Sequence, residues 1–143
     1  MIARRKLNSG PNFDLITMID LTDRLHRTDT MNQIDAHLVL VGVMAPVCGP
    51  FGPPGQLNER IHPESCQRSY AEAAHIAKFC GDVALKQLSN HRHSIQEQPH
   101  PSKLYESSPW PLAFSKQGLA QQLDDRCTCG LNATRGQHKR FYI

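Results

Sequence analysis

The spacing of apolar positions changes several times along this chain, and each change marks an element. From Asp14, a residue suited to capping, Leu15, Met18, Ile19, Thr22 and Leu25 recur every three to four positions, with Asp20, Asp23, Arg24 and Arg27 between them. That spacing predicts an amphipathic helix. Its continuation from Thr28 to Ile34 reads as turn as much as helix, because of Thr28-Asp29-Thr30. From Leu38 to Met44 the period gives way to a near-continuous apolar run with Val39, Val41 and Val43, predicting a strand buried on both faces. From about Pro63 to Ser89 helical spacing returns through Tyr70, Ala73, Ala74, Ala77, Cys80, Ala84 and Leu88, the strongest helix signal in the chain. Pro63 suits its first turn, and Arg68 with Glu72, Lys78 with Asp82 and Asp82 with Lys86 are charge pairs four apart on its wet face. The small residues of its apolar face let it lie close to a sheet.

Beyond it, His91-Arg92-His93 leads to a short strand over Ser94 to Glu97, stopped by Pro99 and Pro101. Pro111 to Lys116 reads as a helical turn or two ended by Gly118, and Leu119 to Asp124 as a last strand before an apolar finish at Phe141-Tyr142-Ile143. Trp110, set between prolines, reads as a packing anchor. Helix, strand, loop, helix, strand, helix, strand is the rhythm of an α/β layered sheet with crossover helices, parallel or mixed, of about half the usual doubly wound size. The expected organisation is a basic lead-in over 1–12, one partial α/β domain over 13–131 and a basic tail over 132–143.

Between the first strand and the long helix lies a stretch that predicts no regular element. Pro46, Pro50, Pro53 and Pro54 remove backbone donors, and Gly49, Gly52 and Gly55 loosen the chain. Cys48 therefore sits on a constrained loop just past the carboxyl end of a strand, where ligands bind in open α/β sheets. A single crossover helix would set the strand ending at Glu97 beside the first one, bringing a thiol and a carboxylate to one sheet edge. A thiol there is a nucleophile when its pKa is lowered, and a carboxylate can hold or protonate a heteroaromatic base. The plainer alternative makes Cys48 a small buried hydrophobe and Glu97 a solvated strand end.

The 143 residues suffice for one domain with a core. A hydrophobic content of 39%, only 6% aromatic, makes that core lean and its stability modest. The formal charge of +3 gathers at Arg4, Arg5 and Lys6 and again at Arg135, Lys139 and Arg140, which suits a polyanion without demanding one. Arg126, Arg135, Lys139 and Arg140, near Phe141 and Tyr142, offer a second class of function, phosphate grip and base stacking without catalysis. Five cysteines, no secretory leader and no run of ~18 apolar residues predict an intracellular protein, cytoplasmic or nuclear, with reduced thiols and no membrane partner. His91, His93, Cys127, Cys129 and His138 are zinc-ligand types, but their pairs are one residue apart where zinc knuckles use two to four, so no metal is expected.

The run from Ala45 to Gly52, Ala-Pro-Val-Cys-Gly-Pro-Phe-Gly, resembles the Pro-Cys nucleophile loop of the DNA cytosine-5 methyltransferases, and Glu97-Gln98-Pro99 is similar to that family's Glu-Asn-Val strand end. The order of this loop, Leu57-Asn58, an Ala-rich helix, Glu97-Gln98-Pro99, Ser102-Lys103-Leu104-Tyr105, Trp110 and Cys127-x-x-Gly130 resembles methyltransferase-like segments of retroelement polyproteins, over about residues 14–131. The resemblance implies half of a Rossmann-like, class I methyltransferase-like fold acting on DNA. By it, Cys48 adds to carbon 6 of a flipped cytosine, making carbon 5 nucleophilic toward the methyl of S-adenosylmethionine, and Glu97 assists at ring nitrogen 3. Asn58 and Arg140, the latter in a Gln137-His138-Lys139-Arg140 run similar to the family's Gln-x-Arg-x-Arg, would bind substrate. Val47, Gly52 and Gln98-Pro99 depart from the family pattern, and no Gly-rich cofactor turn precedes Asp35. The expectation is a truncated or degenerate methyltransferase-like domain, inactive alone, whose cofactor site would need a complementing polypeptide, and whose open edge suits a homodimer. The alternative is a non-enzymatic nucleic-acid or protein interaction module.

Overall fold

A computed structural model describes residues 8–116, 118–125 and 138–142, which belong to two compact units, Met1–Val39 and Leu40–Ile143. In the first unit the helix expected from Asp14 is replaced by a 3-10 turn, Leu15–Thr17. The Asp14 carboxylate accepts from the Thr17 amide at 3.0 Å and the Thr17 hydroxyl accepts from the Asp14 amide at 3.1 Å. Met18, left-handed with φ 63°, ends that turn. The helix α1, Arg24–Ala36, starts only where the Asp23 carboxylate takes the Leu25 amide. Just before it, Asp20 accepts from both the hydroxyl and the amide of Thr22, bonds that hold its carboxyl below the ordinary range. Residues 28–34 are helical throughout, and the Thr28 hydroxyl bonds back to the Arg24 carbonyl at 3.0 Å instead of opening a turn.

The second unit carries the sheet. Its elements are β1 (Val41–Met44), α2 (Pro53–Ile61), α3 (Pro63–Ser89), β2 (His93–Pro99), a 3-10 turn (Lys103–Glu106), α4 (Trp110–Ser115), β3 (Gln121–Asp125) and β4 (His138–Tyr142). The strand order is β1-β2-β4-β3. β1 and β2 are parallel, with Val41 beside His93 and Met44 beside Gln96, and α3 is the crossover between them. β4 runs antiparallel to both neighbours, so the α/β sheet is mixed, as many such sheets are at one edge.

Two expectations fail here. β1 is not buried on both faces: it is an edge strand with Val41 41% and Val43 69% exposed, while Gly42 and Met44 are half-buried. A continuous apolar run cannot by itself say whether a second helix layer arrives. Nor is the Pro/Gly stretch wholly irregular, because Pro53 and Pro54 open α2, where the amides they lack would have had no helical partner.

α3 covers one face of the parallel pair. A Cβ at Gly42 would stand 3.8 Å from both Val83 and Gln87, ordinary contact. The core is built from Phe51, Ala73, Ala77, Cys80, Ala84, Leu104, Trp110 and Ala113. Trp110 is fully buried and its indole N–H donates to the Ala77 carbonyl at 3.1 Å, the anchoring role its flanking prolines suggest. Gly81 permits this: a Cβ there would lie 2.6 Å from Pro109 Cδ. The Lys78–Asp82 pair forms on the exposed face at 2.8 Å. At the end of α3 the amide of Arg92 bonds the Gln87 carbonyl (2.8 Å) and that of His91 bonds the Leu88 carbonyl (3.1 Å), with His91 left-handed at φ 54°. This is a Schellman closure with histidine in the place glycine usually takes.

Candidate functional site

The parallel register fixes the site. Met44, the last residue of β1, lies beside Gln96, so the chain leaves β1 for the Cys48 loop at the same sheet end where β2 reaches Glu97. The structure thus brings the two chain positions to one edge, through the crossover expected of them. Cys48 is exposed, so it is not a small buried hydrophobe. Glu97 is half-buried and lies between Gln96 and Gln98, both buried, so strand alternation turns it to the face away from α3.

The loop is fixed at several points. The buried Gln98 amide donates to the Pro46 carbonyl at 2.8 Å and its oxygen accepts from Ser102 Oγ at 3.3 Å. The Cys48 carbonyl accepts from the amides of Phe51 (3.1 Å) and Gly52 (2.9 Å), closing a tight turn around the cysteine. Phe51 is buried, edge-on to Tyr70 at 5.1 Å, and its carbonyl accepts from the Lys103 amide at 2.9 Å. Gly52 sits where a Cβ would come within 3.3 Å of Pro99, and a Cβ at Gly55 would collide with the Pro50 carbonyl. The exposed thiol is therefore carried by a loop whose backbone is held on both sides of it. Such pre-organisation is what positioned chemistry requires.

A cleft of about 250 Å³ opens behind this loop, lined by Gly49, Pro50, Pro54, Gly55, Asn58, His62, Ser65, Cys66 and Ser69. Asn58, an expected substrate contact, is in its wall. Arg140, the other, is on β4 with its backbone beside Gln98, one register position from the Glu97–Phe141 pair. The cleft lining does not fit S-adenosylmethionine, because no Asp or Glu is present to take the ribose hydroxyls or the ammonium group. Of the other cysteines described, Cys66 donates to the Gly55 carbonyl at 3.4 Å, and Cys80 is buried in the core, where desolvation pushes its thiol up to about 12. Among the described residues no three His, Cys, Asp or Glu side chains gather as metal ligands, and no helix is long and apolar enough to cross a membrane. Cys127 and Cys129 lie outside the described residues, as do Arg126, Arg135 and the lead-in through Leu7.

Sequence reasoning missed Gln98, the residue that ties the loop to β2. It entered only as a departure from Glu-Asn-Val, and nothing in the spacing marks a glutamine as buried. No family model, curated protein or solved structure matches this chain.

Proposed function

We propose that this chain is a degenerate S-adenosylmethionine-dependent DNA cytosine-5 methyltransferase-like domain of mobile-element origin, with a partial Rossmann-like sheet and without methyl transfer as a lone chain. One observation carries the reading: a parallel strand pair, joined through α2 and α3, has the Cys48 loop and Glu97 at one sheet end. A partial sheet also accounts for β1 as an open edge with exposed valines. The Cys48 thiolate adds to carbon 6 of a flipped cytosine, forming the S–C6 bond and moving the ring electron pair to carbon 5. Glu97 supplies a proton or hydrogen bond at ring nitrogen 3 and Arg140 a phosphate contact, while Asn58, in the cleft on the α3 side, lies on the other face from Glu97 and does not reach the same base. The cleft residues are unsuited to the cofactor.

Addition and its reversal exchange the carbon-5 hydrogen with water and need no methyl donor. The test is release of tritium from DNA carrying 5-tritiated cytosine. Slow release that is lost in Cys48→Ser and reduced in Glu97→Gln is expected. Release by the parent no faster than by Cys48→Ser would overturn the catalytic reading. If salt-sensitive DNA binding then survives Cys48→Ala, the chain is a nucleic-acid interaction module, the second reading. The exposed apolar side chains of Val47, Leu57 and Ile61 around the loop favour the protein-binding form of that module.

A further inference from the structure

β1 closes one end of the sheet, with β2 on one side and no strand on the other among the described residues. An edge strand presents unpaired N–H and C=O groups, and proteins commonly guard such edges with Lys, Pro or bulges. Leu40-Val41-Gly42-Val43-Met44 contains none of these guards, and Leu40 and Val43 are 63% and 69% exposed. We propose that this edge pairs antiparallel with the same edge of a second copy of the chain, Gly42 opposite Gly42. Two four-stranded sheets then become one of eight strands across a twofold axis. The proposal does not depend on the catalytic reading.

The occupant follows from the sequence of the edge itself. A twofold contact needs a patch complementary to itself, and these five residues are nearly symmetric about Gly42. In that register Val41 of each copy faces Val43 of the other and Leu40 faces Met44, so every cross-strand pair is apolar. No charge lies on the strand, so the axis brings no like charges together. Gly42 at the centre faces α3, where a Cβ would meet Val83 and Gln87 at 3.8 Å, ordinary contact without a clash. Five residues per copy bury much less than the ~800 Å² per partner of a standard stable interface, so the dimer is weak and concentration-dependent.

Sedimentation equilibrium on the full chain tests this. The weight-average mass is expected to climb from 16.1 kDa toward twice that as concentration rises, and to stay monomeric at every concentration in Val43→Lys. Val43 is exposed, so that variant keeps the parent's circular dichroism. Register is tested by mild oxidation: Gly42→Cys puts its cysteines on directly opposed residues with Cα atoms ~4.5–5.5 Å apart, within the Cα range of a disulfide, and cross-links about tenfold faster than Val43→Cys. Monomer mass at all concentrations, association undiminished by Val43→Lys, or faster cross-linking of Val43→Cys would each overturn the proposal. Saturable pairing of the edge with an unrelated apolar peptide while the chain stays monomeric would also overturn it.

Discussion

Replacing Gln96 by methionine should make this protein more stable. Gln96 is 2% exposed on the α3 side of β2, and neither its amide nitrogen nor its amide oxygen has a hydrogen-bond partner among the described residues. Its neighbour two residues on is the counter-example: Gln98 is as deeply buried, but both ends of its amide are engaged, by Pro46 and Ser102. A buried polar group without a partner costs about 1–3 kcal/mol on mutational scales. Methionine has nearly the same length and volume, so the packing cost of the exchange is below ~1.5 kcal/mol and the cavity cost is small. The net expectation is a gain of roughly 1–2 kcal/mol, a rise of ~2–8 °C in Tm for a chain of this size. Urea denaturation reads it as a higher midpoint at unchanged slope. A loss of about 1 kcal/mol or more in Gln96→Met would refute the reasoning, since it would mean that the amide makes bonds worth more than its burial costs.

Three further outcomes follow from the same geometry. His91→Gly relieves a left-handed residue at the Schellman closure of α3 and should stabilise by ~1 kcal/mol in the same urea assay, whereas His91→Val should destabilise. Gln98→Met leaves the half-buried Pro46 carbonyl without its donor and should cost ~1 kcal/mol while speeding amide hydrogen exchange at Phe51 and Gly52, the turn that carries Cys48. Native-state alkylation should label Cys48 rapidly and leave Cys80 unlabelled. Because the folded Cys80 thiol stays protonated up to about 12 while the unfolded one ionises near 9.0, its contribution to folding stability should be flat below pH 9 and fall as pH rises from 9 to about 12. Cys80→Ala should show a shallower fall over that window, and an identical fall would contradict the burial argument.

The parts of the fold legible from the sequence were those set by one strong local signal. α3 runs from Pro63 to Ser89 because its apolar period is unbroken and proline can only open it, and β2 stops at its prolines for the same kind of reason. The first unit was misread because Asp14 and Asp23 are both competent caps, and periodicity cannot say that the left-handed Met18 ends the first attempt. The exposure of β1 was hidden because an apolar run records what a strand prefers, not whether a partner layer is present. At the site, the placing of the Cys48 loop and the Glu97 strand at one sheet end was legible from topology, since a helical crossover leaves a parallel pair little choice. The buried glutamines of β2 were not legible, because their burial is decided by α3 lying over the sheet and by the Pro46 carbonyl arriving from fifty-two residues away.

The most direct test of the central claim is isothermal calorimetry of S-adenosylmethionine with the purified, folded chain. A cleft with no acidic group in its lining predicts no saturable heat. Stoichiometric binding would contradict that account, because it would mean that a complete cofactor site exists within these 143 residues.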